Sequence, residues 1–207
     1  MSNRFGQAYG LTLMSPILGG MDERGVAHDI ALREELRALN DSPETPLAAV
    51  PTTHLARWVV IDDACFEGTP AKVDHFASKY LLFTSNFDGG AKTDEQALGD
   101  YLDVMRSSIA GTLERLYRHC VGFPGVQSAD AFRTYMKRCQ FTTTFFFGAY
   151  PTARVDAVLR ALDAQRRFSA FVLANQTNRA QPERLQQAFA AFMTELRSAP
   201  TPRPGTI

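Results

Sequence analysis

Two stretches of this chain place charged side chains among apolar ones. The first, Thr53-His-Leu-Ala-Arg57-Trp-Val-Val-Ile-Asp62, carries Arg57 inside a run of branched and aromatic residues. The second, Lys79-Tyr-Leu-Leu-Phe-Thr-Ser-Asn86-Phe87-Asp88-Gly89-Gly90, ends in a carboxylate followed by two glycines. Both read as β-strands. An arginine in such a strand needs a partner or a ligand. It can pair with Asp62, Asp63 or Asp88, or snorkel to the sheet edge. Alternatively it lines a cavity, binds a carboxylate and steadies developing negative charge. Asp88 is either a turn residue or a pocket carboxylate doing acid–base work, with Asn86 and Phe87 shaping the pocket. If the two strands pair antiparallel, the end of the second lies beside the start of the first. Arg57 and Asp88 are then expected to line one cavity.

The histidines and cysteines offer less. His54 falls on the strand face of Ala56 and Trp58, opposite Arg57, and reads as structural. His119 precedes Cys120 at the end of a long helical pattern, where the helix dipole favours a histidine. The same place allows a metal-ligating imidazole if it faces a cavity. Cys120 lies on the apolar stripe of that helix and reads as core. His28 and His75 sit in polar surroundings. Three widely spaced cysteines, Cys65, Cys120 and Cys139, form neither a disulfide framework nor a zinc pattern. Dinucleotide, P-loop, nucleophile-elbow and His-Glu-x-x-His motifs are missing.

The positioning elements follow from periodicity. Residues 10–18 read as a strand ending near Pro16 and 23–40 as a helix. Residues 41–52 read as a loop, and 63–78 as a long covering connection holding Cys65 and His75. Thr93 or Asp94 caps a helix running to about Val121, with Leu98, Leu102, Met105, Ile109, Leu113, Leu116 and Cys120 three or four apart. A short helix spans 128–138. Gln140–Tyr150, with Phe141, Phe145, Phe146 and Phe147, reads as the clearest strand. Helices over 152–173 and 182–197 and a proline-rich tail complete the chain. The expectation is one α+β domain over 1–197 and a disordered tail over 198–207. Both faces of the strands are largely apolar, so both call for cover, by a second sheet in a homodimer or by the C-terminal helices.

Lys and Arg total 22 and so do Asp and Glu, leaving no basic footprint for nucleic acid or anionic lipid. No apolar run is long enough to span a membrane, and a cytoplasmic protein is the default reading. Fifteen phenylalanines against one tryptophan suit a thick core or an apolar cavity. A small-molecule substrate is the expected partner.

The order β-α-β-β-α-(α)-β-α-α contains the ferredoxin-like split βαβ arrangement. With Ser85-Asn86-Phe87-Asp88-Gly89 it resembles the dimeric α+β barrel superfamily, including its haem-binding branch of dye-decolourising peroxidases. That branch carries Gly-x-x-Asp-Gly, with its aspartate on the distal side of the haem near an arginine. Here Ser85 stands for the first glycine. The resemblance implies a haem-dependent oxidoreductase of peroxidase or dehydratase type, with Arg57 and Asp88 at the distal site. His119 would be the iron ligand, and Phe145 and Phe147 would line the cofactor. Two alternatives remain beside it. One is a cofactor-free enzyme or binding protein, monooxygenase-like, with an aromatic cavity. The other is a non-catalytic interaction module.

Overall fold

A computed structural model describes residues 3–66, 68–176 and 181–206; of residues 64–66 and 72–74 only the backbone is described. The chain divides into two compact units, Met1–Thr152 and Ala153–Ile207, where one domain over 1–197 was expected.

The first unit is α+β. Strands β1 (Arg4–Phe5), β2 (Ala8–Pro16), β3 (Thr53–Phe66) and β4 (Lys72–Asp88) form an antiparallel sheet in the order β1-β2-β4-β3. Helices α1 (His28–Asn40), α2 (Asp94–Ser108), α3 (Ala110–Tyr117) and α4 (Ala129–Arg138) accompany it, with a 3-10 turn at Pro46–Ala49. Period-2 alternation sends Tyr9, Leu11, Leu13, Leu81, Phe83 and Phe87 to one face, where all are buried. They share a core with the predicted stripe Leu98, Leu102, Met105, Ile109, Leu113, Leu116 and Cys120. Phe87 stacks on Tyr101 at 3.9 Å between ring centres. Thr93 caps α2 through a reciprocal box with Gln96.

Several expectations are corrected. Residues 63–78 are not a covering loop: most of them extend β3 and β4 into one long hairpin, where His75 Nδ1 meets Asp63 at 3.2 Å. The side chain of Cys65 lies outside the described residues. The first helix starts at His28, not 23, because Asp22 closes a turn by accepting from Val26 N–H. The long helix over 93–121 breaks at Ile109 and ends at Tyr117. The Ser107 hydroxyl bonds back to Asp103 and Val104 carbonyls just before the break, and Gly111 follows it.

The largest correction concerns 140–150. Gln140 bridges Leu13 and Phe141 N–H donates to the Thr12 carbonyl, but the strand goes no further. The edge of β2 at residues 8–10 is already taken: β1 pairs with Ala8 and Tyr9, and Gly10 N–H donates to the Asn3 carbonyl. The segment therefore leaves the sheet as an extended loop, and Phe145 and Phe147 are exposed.

The second unit pairs α5 (Val155–Ala174) with α6 (Pro182–Ser198). Phe168, Phe171, Phe189 and Phe192 interlock across them, with Phe171 and Phe192 centred 4.9 Å apart. Arg167 bonds Asp163 at 2.7 Å and Glu195 at 3.1 Å. Arg160 donates to Thr201 in the segment expected as a disordered tail. Among the described residues no helix is long and apolar enough to cross a membrane.

Candidate functional site

The site is built on the sheet face turned away from the core. Register places Leu55, Arg57 and Val59 of β3 there, opposite Asn86, Thr84 and Leu82 of β4. Near the start of β3 the ladder slips. Thr53 pairs with Phe87 and Leu55 with Asn86, so His54 is an extra residue in a β-bulge. Thr53 still points to the core side, where its hydroxyl meets Tyr101 Oη at 3.2 Å. Ala56 returns to that side two residues after the bulge, opposite buried Ser85. His54 is thereby turned to the open face.

There its Nε2 lies 2.7 Å from Asp88 Oδ1. The Asp88 side chain is 8% exposed and that of His54 25%. A carboxylate only accepts, so Nε2 carries the proton and Nδ1 keeps its lone pair in the neutral ring. Nδ1 has no hydrogen-bond partner among the described residues. This is the oriented-imidazole arrangement of acid–base catalysis: a carboxylate fixes the tautomer and stabilises the imidazolium that forms when Nδ1 takes a proton.

Next along the two strands is a groove of about 390 Å³ lined by Leu55, Ala56, Arg57, Thr84, Ser85 and Asn86, with His54 adjoining Leu55 in sequence. Arg57 Nε donates to Thr84 Oγ1 at 3.1 Å, which fixes the inner end of the guanidinium. On the far side of Asn86 the sheet is roofed. Asn86 pairs with Gly10, and a Cβ on Gly10 would sit 3.2 Å from the Phe146 ring. Glycine here lets that ring lie close to the backbone. Beneath the bulge, Tyr101 Oη also bonds Ser85 Oγ at 2.7 Å. Burial raises the Tyr101 pKa against these two hydrogen bonds, so the phenol stays protonated and pins both strands from below.

The expected pairing of Arg57 with Asp88 is corrected. Both occupy the open face, but Arg57 pairs with Thr84, four residues before Asp88. At ~3.3 Å per residue that is roughly 13 Å along β4. Asp88 is held by His54, the residue that strict alternation assigned to the other face. A bulge at a strand start leaves no periodic signal.

His119 is buried two residues beyond the end of α3, and not on the helix. Arg118 Nε donates to its Nε2 at 3.3 Å, so its proton lies on Nδ1, which faces His28 Nδ1 at 2.9 Å. Burial, then Arg118, then His28 hold its pKa below the ordinary histidine value. Both nitrogens are engaged, and an axial ligand to haem iron needs one free. Arg57 and Asp88 stand apart, and Phe145 and Phe147 are 83% and 67% exposed on a loop. These residues do not fit a haem site. Cys120 is no substitute ligand: burial, and then Cys139, push its thiol up to about 12. Among the described residues no group of three or more His, Cys, Asp or Glu could hold a metal ion.

In comparisons with known proteins, no family model, curated protein or solved structure matches this chain. Nothing in them points to dimeric α+β barrels, and the element order that suggested the resemblance lacks its last strand, 140–150.

Proposed function

We propose that the protein is a cofactor-free enzyme that moves a proton on a small, largely apolar molecule bound in the β3–β4 groove. His54 is the base, Asp88 orients it, and Arg57 holds negative charge on the ligand. The observation that carries this is the 2.7 Å His54–Asp88 contact, which leaves Nδ1 unpartnered on the open face of the sheet. The proton passes from ligand to Nδ1, and the imidazolium is balanced by the Asp88 carboxylate. His54 and Arg57 lie three residues apart on β3, roughly 10 Å. The ligand is therefore a compact molecule with an acidic C–H or O–H at one end and an anionic or carbonyl oxygen at the other.

The β2-β4-β3 order of the three long strands supports a ferredoxin-like reading, with the N-terminal hairpin in place of a fourth strand. Leu55 and Val59 are 70% and 39% exposed on the groove face. A second copy laid over that face would exclude water from the groove, as the dimeric barrels do.

The test is α-proton exchange. Small aryl and alkyl ketones and keto acids are incubated with the protein in D2O and followed by proton NMR. Exchange above background is expected for at least one, lost in His54→Gln and reduced in Asp88→Asn. Exchange that survives His54→Gln overturns the reading.

A further inference from the structure

On the other flank of β3 lies a second cavity, of about 430 Å³, between the last turns of α1, the 3-10 turn and the strand. Leu36, Leu39, Leu47 and Trp58 form its apolar wall, all half-buried against the core. Arg37 stands at its rim, the Arg57 guanidinium being held by Thr84 on the open face of the sheet, and none of its lining residues is acidic. The volume falls within the range of small-ligand pockets, roughly 300–1,000 Å³.

The charges are what need an explanation. The chain balances its charges one for one, and among the described residues nine arginines have acidic partners. On α1 itself Arg33 bonds Asp62 at 2.8 Å. Among the described residues the Arg37 side chain makes no hydrogen bond or ion pair, and Arg57 makes only its bond to Thr84. Arg37 in the last turn of α1 suits the helix dipole, but that uses none of its N–H donors. A guanidinium without an acidic partner at the rim of an apolar wall matches an anionic head on an apolar tail. Planar N–H forks match a carboxylate best.

We propose that this cavity binds an amphipathic monocarboxylate, an apolar acid with an acyl or aryl tail, with Arg37 on the carboxylate and the tail against Leu39, Leu47 and Trp58. The site is separate from the His54–Asp88 groove. Only the β3 residues Ala56 and Arg57 line both cavities.

Trp58 is the only tryptophan in the chain, so its fluorescence reports the cavity directly. The protein is titrated with octanoate, with octanol and with inorganic phosphate. Saturable change with octanoate is expected, with weaker binding of octanol and none of phosphate. Arg37→Gln should weaken octanoate roughly tenfold, the scale of a hydrogen bond to a charged group. Arg37→Lys should recover part of the loss, and His54→Gln should leave octanoate binding unchanged, which separates this proposal from the catalytic one. Circular dichroism of each variant checks folding. Equal affinity for octanol and octanoate, an unchanged affinity in Arg37→Gln, or no response of Trp58 up to millimolar octanoate overturns the proposal.

Discussion

Truncating the two ends of the His54–Asp88 contact should give unequal and non-additive costs. The bond is 2.7 Å long, and its acceptor is the more buried end, at 8% exposure against 25%. Hydrogen bonds to charged groups contribute about 1.5–3 kcal/mol. Water reaching a quarter-exposed His54 offsets part of this, so Asp88→Ala should cost about 1.5 kcal/mol, the lower end of that range. For a chain of this size that is a Tm decrease of about 3–6 °C. Asp88→Asn keeps an acceptor but removes the charge, and charge-assisted bonds are about twice as strong as neutral ones, so it should cost about half as much. His54→Ala should cost more than Asp88→Ala, about 2–3 kcal/mol, because it leaves a nearly buried carboxylate without its imidazole. Urea denaturation of the wild type, both single variants and the double variant closes a thermodynamic cycle. The expected coupling is about 1–1.5 kcal/mol. Additivity within about 0.5 kcal/mol, the scatter of independent sites, would refute the claim that the two groups act as a pair.

His119 sets a pH dependence. Its folded-state pKa lies below the ordinary 6.5, so as pH falls below 6.5 the unfolded chain takes up a proton the folded one resists. Stability is fully present above that pH and declines as pH drops toward the folded value; urea midpoints at pH 7 and 5 should show the decline in wild type and a smaller one in His119→Gln. Cys120, with its thiol pushed up to about 12, should resist iodoacetamide in the native protein at neutral pH while half-buried Cys139 reacts first. Peptide mass spectrometry finding Cys120 alkylated first would contradict this. Two glycines should respond oppositely to alanine. Gly6 sits at φ 62° against the Pro151 carbonyl, so Gly6→Ala should lower stability by at least about 1–2 kcal/mol. Gly99, inside α2 with open space around its Cα, should gain about 0.5–1 kcal/mol on the same change, read by thermal melts.

The parts of the fold legible in the sequence are those where one physical signal acts alone. The α2–α3 stripe from Leu98 to Cys120 is buried at every position named from its spacing, because a helix packed on one side has one apolar face. The β2, β3 and β4 cores were readable from branched and aromatic alternation. Competition hid the rest. Gln140–Tyr150 has strand chemistry, but β1, only two residues long, holds the edge it would need. The outer hairpin around Asp63 and His75 lies beyond a slip of the ladder, where pairing jumps from Ile61–Tyr80 to Asp63–His75, so strand alternation does not carry through and it reads as a loop. Asp88 could be singled out as a carboxylate after an apolar strand. Its partner could not, since a one-residue bulge inverts the face of His54 and nothing in Val50-Pro-Thr-Thr-His54 marks where a ladder will slip. The phenylalanine excess suits a core or a cavity, yet Phe168, Phe171, Phe189 and Phe192 form a separate seam between α5 and α6.

In the proposed mechanism Asp88 holds His54 as a base on the open face of the sheet. A long-range proton–nitrogen correlation spectrum of nitrogen-15-labelled protein near neutral pH tests it most directly. Neutral His54 is expected to be one tautomer, protonated at Nε2 and bare at Nδ1, and Asp88→Ala to release it to a rapidly averaging mixture. A wild-type His54 protonated at Nδ1, or averaging between tautomers as it does without Asp88, would contradict it.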